Sequence, residues 1–82
     1  MRTTEEQLKN QIHEVLNQLR TLRDEVRVDL HLAGMEAKQR WADLEPKFHE
    51  VEQLGREVSE TSKQAIADAL QKLRDFRETM RA

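Results

Sequence analysis

From Leu8 onward the apolar residues recur at intervals of three and four: Leu8, Ile12, Val15, Leu19, Leu22, Val26, Leu30, Ala33, Ala37, Trp41 and Leu44. At about 100° per residue these positions form one stripe along a helix. The first steps alternate four and three, as in a coiled-coil seam. Leu22, Ala33 and Leu44 stand eleven apart, a spacing that unwinds a left-handed supercoil. The pattern predicts one helix over 4–43, capped by Thr3 or Thr4, with Glu5 and Glu6 at its positive end.

Pro46 is the strongest interruption. It disfavours the helical conformation at Glu45 and would clash with the carbonyl of Ala42 inside a helix, at a cost of roughly 3 kcal/mol. A turn is therefore expected over 43–46, with Asp43 capping a second helix over 46–80. The second stripe runs Phe48, Val51, Val58, Ala65, Ala69, Leu73, Phe76 and Met80. Halves of equal length suit an all-α fold: two long amphipathic helices in an antiparallel, coiled-coil-like hairpin. One feature points the other way, because the stripe keeps its phase across Pro46 as a single kinked helix would. Residues 26–32 also alternate apolar and polar like a strand, but a lone strand has no pairing partner, so the segment reads as helix.

The helical reading leaves a second stripe. Val28, Leu32 and Met35 lie opposite the main one, extended by Ala42 and the bare backbone of Gly34. A helix that is apolar on two sides is buried on two sides, and one hairpin covers only one of them. We therefore expect Val28, Leu32, Gly34 and Met35 to form a self-association surface rimmed by Glu25, Asp29 and Glu36. The simplest product is a dimeric four-helix bundle. Trp41, the single tryptophan, is expected beside the turn against Phe48, with an interface role as its second possibility.

Composition narrows the function classes. The chain has 82 residues, 37% charged and 37% hydrophobic, which fits one helical domain without a large core. There are no cysteines, so disulfides and thiolate metal sites are excluded. A net charge of −2 with mixed signs argues against nucleic-acid binding by overall charge. No apolar run is long enough to span a membrane, and the opening MRTTEEQLKN does not read as a signal peptide, so a cytoplasmic protein is expected.

Charge is ordered along the helices. Lys9, Arg20, Arg23, Arg27 and Lys38 flank the first stripe on one side, and Glu14, Glu25, Asp29, Glu36 and Asp43 on the other. The second half repeats this with the same hand, through Arg56, Lys63, Arg74, Arg77 and Arg81 against Glu50, Glu57, Asp68 and Asp75. Opposite flanks attract only where two such helices run parallel.

Catalytic chemistry finds no foothold. His13, His31 and His49 are eighteen residues apart, about 27 Å along a helix, too far to share one metal. Ser59 and Ser62 have no histidine in a recognisable nucleophile motif and read as small residues along a helix. Gly55, Ser62 and Ala69, seven apart with Ala65 beside them, read as a close-packing seam rather than a ligand cavity. The expectation is a non-enzymatic structural or interaction protein, a self-associating adaptor or assembly module. It has no cofactor, metal or small-molecule substrate, and it forms a homo-oligomer or meets another protein. The alternatives are an amphipathic helix on a lipid or hydrophobic granule surface and, ranking last, nucleic-acid binding through a basic face.

Overall fold

The structure, a computed structural model, describes residues 4–81, with the side chain of Arg81 left out. Thr3, one of the two expected caps, lies outside the described residues. The chain forms three helices: α1 (Thr4–Leu30), α2 (Met35–Leu54) and α3 (Glu60–Arg81). The all-helical expectation holds, but the count of two does not. The expected turn at 43–46 is helix, and the chain instead reverses over 31–34 and over 55–59. A pair of such chains would bring six helices together rather than four.

α1 ends by tightening. The N–H groups of His31, Leu32 and Ala33 donate to the carbonyls of Val28, Asp29 and Leu30, each three residues back. These bonds satisfy carbonyls that a helix end leaves open. Gly34 then takes an extended conformation (φ −75°, ψ 172°) and α2 starts at Met35. The alternation over 26–32 is thus a helix end passing into a turn, with Leu30 buried and Leu32 outside.

α2 passes through Pro46 near the middle of its 20 residues. Proline removes one helical N–H, leaving the Ala42 carbonyl without its usual donor. Ala42 and Pro46 both lie on the exposed side, where water reaches that carbonyl. The opposite side buries Trp41 and Phe48 and half-buries Leu44 and Val51. Fully burying side chains of this size gains about 1.5–3 kcal/mol each, so together they offset the proline.

α2 stops at Gly55, where a Cβ would come within 2.6 Å of Leu16 Cδ2. The glycine's service is room for α1, since its φ of −62° is open to any residue. Ser59 caps α3, its Oγ accepting the N–H of Ser62 at 3.1 Å. The expectation that Ser59 lies within a helix is therefore corrected. Ser62, 2% exposed, is kept satisfied by Ser59 and Glu57.

Helix directions follow from the pairings. Leu16 meets Gly55 and Arg27 meets Glu45, so α1 and α2 are antiparallel. Trp41 lies against Phe76 and Val51 shares a groove with Ala65, so α2 and α3 are antiparallel. Arg74 reaches Gln18 as Arg77 reaches Glu25, so α1 and α3 run parallel. The result is an up-down-up bundle of 51 × 18 × 15 Å with α3 packed against both other helices. Its core joins the α1 stripe from Ile12 to Leu30 with Trp41, Phe48, Ile66, Leu70, Leu73 and Phe76.

This arrangement uses the ordered charge. The acidic flank of α1 meets the basic flank of its parallel neighbour α3, with Glu25 2.8 Å and Asp29 3.8 Å from Arg77. The basic flank of α1 meets carboxylates of α2, with Arg27 on Glu45 at 3.1 Å and Arg23 hydrogen-bonded to Glu52.

Candidate interaction surface

The turn over 31–34 gathers the three large apolar side chains that are exposed among the described residues. Val28 is 67% exposed, Leu32 95% and Met35 70%. Val28 stands on the last turn of α1, Leu32 at the tip of the reversal and Met35 on the first residue of α2. They therefore crown one end of the bundle instead of lining the back of a long helix. Gly34 sits among them with open space, since a Cβ there would meet nothing within 4 Å. Its extended φ would accept any residue, so nothing inside the chain requires glycine at this position.

The expected rim is largely used internally. Glu25 and Asp29 face Arg77, and Glu36 lies 3.6 Å from Arg40 one helical turn on. Trp41 belongs to the core, not to the exposed corner. It is 7% exposed, with its ring centroid 5.7 Å from Phe48 and 5.8 Å from Phe76. Its indole N–H donates to Glu45 Oε2 at 2.7 Å, and Arg27 Nε and Nη2 donate to the same oxygen at 3.3 and 3.1 Å. That shared carboxylate ties the corner end of α1 to α2.

The acidity of Glu45 is set by opposing effects. Desolvation pushes its carboxyl up, but the Trp41 hydrogen bond, the Arg27 hydrogen bonds and charge, and the Arg23 charge outweigh it. The group sits below its ordinary value of 4.5. A carboxyl lowered on folding contributes stability that is complete above the unfolded value and lost as pH falls through the folded one. The stability advantage of the wild type over Glu45→Gln should therefore hold above 4.5 and shrink on acidification below it. Urea unfolding across a pH series reads this, and a difference that does not change with pH would mean that Glu45 carries no linked charge.

His13, His31 and His49 are all exposed; the fold brings His13 and His49, which the sequence spacing set apart, to one cleft, while His31 lies on the turn after α1. Among the described residues no three His, Asp or Glu side chains are grouped to hold a metal ion, and no helix is long and apolar enough to cross a membrane. Comparison with protein families, characterised proteins and solved structures gives no match, so function rests here on geometry and chemistry.

What the sequence reading missed is a cleft between α1 and the end of α2, lined by residues from three segments. Gly55 and the Ser59 cap were its available signals, because both mark the helix break that opens it.

Proposed function

We propose that this chain is a non-enzymatic interaction module that pairs with a second copy of itself through the corner formed by Val28, Leu32 and Met35. The observation that carries this reading is the 95% exposure of Leu32, flanked by two more large apolar side chains within eight residues of chain. Each such side chain gains about 1.5–3 kcal/mol when fully buried. A two-fold pairing is the most economical cover, since each copy offers the same patch and receives it. The bare backbone at Gly34 lets the two copies approach closely, which explains a glycine that the fold itself does not need.

Light scattering coupled to gel filtration tests the proposal. Wild type should show the mass of a dimer at micromolar concentration, and Leu32→Lys should shift to monomer with its far-ultraviolet circular dichroism unchanged. A wild-type monomer, or a Leu32→Lys variant with undiminished mass, would remove self-association through this corner. Binding of the wild type to phosphatidylcholine vesicles, lost in Leu32→Lys, would instead assign the corner to a lipid surface.

A further inference from the structure

The matching of charge between α1 and α2 stops partway along α1. Arg27 and Arg23 have Glu45 and Glu52 opposite them, and Arg20 stands 3.7 Å from Glu52. Farther toward the start of α1 come His13 and Lys9, but α2 has ended at Leu54 and the residue that follows Gly55 is another cation, Arg56. Here the two helices part around a cleft of about 680 Å³. Lys9, His13 and Arg20 line it from α1, His49 and Glu52 from α2, and Arg56 from the connection to α3. Three permanent cations and two imidazoles thus surround one carboxylate, and Arg23 already holds that carboxylate by a hydrogen bond. Among the described residues Lys9 and Arg56 have no ion-pair partner.

We propose that this cleft binds a small, multiply charged, phosphate-bearing anion. Cations that converge from three segments on one concave volume define a point of binding, and the volume lies in the range of small-ligand sites, about 300–1,000 Å³. Arginine, lysine and histidine all donate to phosphate oxygens, and such charge-assisted bonds are about twice as strong as neutral ones. Leu16 and Val58 give the cleft an apolar floor, suited to the organic portion of a phosphate ester. A peptide fits less well, because the wall opposite α1 is only the last turn or two of α2 before the chain turns away at Gly55. The last carbonyls of α2, those of Glu52, Gln53 and Leu54, are taken by the N–H groups of Gly55, Arg56 and Glu57.

The test is a titration of the full chain with inorganic tripolyphosphate, followed by amide nuclear magnetic resonance. Saturable shifts should concentrate at Lys9, His13, Arg20 and Arg56. Lys9→Gln and Arg56→Gln, both at exposed positions, should each weaken binding about tenfold, while Lys47→Gln and Lys72→Gln, on a separate groove between α2 and α3, should not. Vesicles containing a phosphoinositide, titrated in parallel, separate a lipid headgroup from a free phosphate as the source. Shifts spread evenly over all lysines and arginines, or none at millimolar tripolyphosphate, would overturn the proposal. Tighter binding of a hexaglutamate peptide than of tripolyphosphate would replace it with an acidic protein partner.

Discussion

Trp41→Ala should destabilise the fold by about 3–5 kcal/mol, the range for removing a large buried aromatic ring. The total available to a chain of this length is on the order of 4–12 kcal/mol at 0.05–0.15 kcal/mol per residue, so the variant should be marginal at room temperature. The effect is large because the ring joins all three helices. It stacks on Phe48 of its own helix at an interplanar angle of 29°, lies 5.8 Å from Phe76 on α3, and through Glu45 reaches Arg27 on α1. Trp41→Phe keeps most of the ring burial and loses the indole donor, so it should fall between the two. Urea unfolding followed by circular dichroism measures the series, since the variants lose the only tryptophan fluorophore. A cost below about 1 kcal/mol for Trp41→Ala would place the ring outside the core.

Pro46→Ala should act in the opposite direction and stabilise the chain by about 2 kcal/mol. Alanine is favoured over proline inside a helix by about 3 kcal/mol. Part of that gain, up to about 1 kcal/mol, is returned because proline also restricts the unfolded chain. The missing hydrogen bond to Ala42 is restored between two exposed residues. For a domain of this size the midpoint of thermal unfolding should rise by roughly 8–16 °C, taking about 4–8 °C per kcal/mol. If Pro46 instead stood in a turn or the first turn of a helix, its fixed φ would be an asset and the alanine variant would be neutral or weaker. A lowered midpoint would therefore contradict an uninterrupted α2.

Much of the core was legible as periodicity. Ile12, Leu19, Leu22, Val26 and Leu30 of the expected stripe are the inner face of α1, because a face buried against neighbours must repeat near 3.6 residues. Leu16, however, is buried where Val15 was expected, and Leu8 and Val15 are half-buried. The positions of the chain reversals were not. Pro46 carries the strongest local penalty in the sequence, yet burial of Trp41 and Phe48 on either side of it is larger. Gly34 and Gly55 carry weaker local signals, and they mark the real breaks. The ordered charge held information that needed the topology to decode. Identical flank order favours parallel neighbours, and α1 and α3 are parallel only because α2 lies between them in sequence and returns the chain. Val28, Leu32 and Met35 were legible as a surplus apolar set, but their place at a corner depends on the turn at 31–34. The cleft was illegible for a stricter reason, since Lys9 and Arg56 become neighbours only once α2 stops at Leu54.

Both proposals depend on where the chain reverses, and paired spin labels test that most directly. The chain has no cysteine, so single pairs can be introduced at the exposed positions Asn10, Gln64 and Glu78. Arg74 lies beside Gln18 and Arg77 beside Glu25, which sets position 64 level with position 10 on parallel neighbours. Position 78 lies fourteen residues farther along α3, about 21 Å at 1.5 Å per residue. In samples diluted with unlabelled chain, the account predicts a short distance for 10–64 and one longer by about 20 Å for 10–78. The reverse order, with 10–78 short and 10–64 long, is the signature of a two-helix hairpin turning at 43–46 and would contradict the three-helix arrangement.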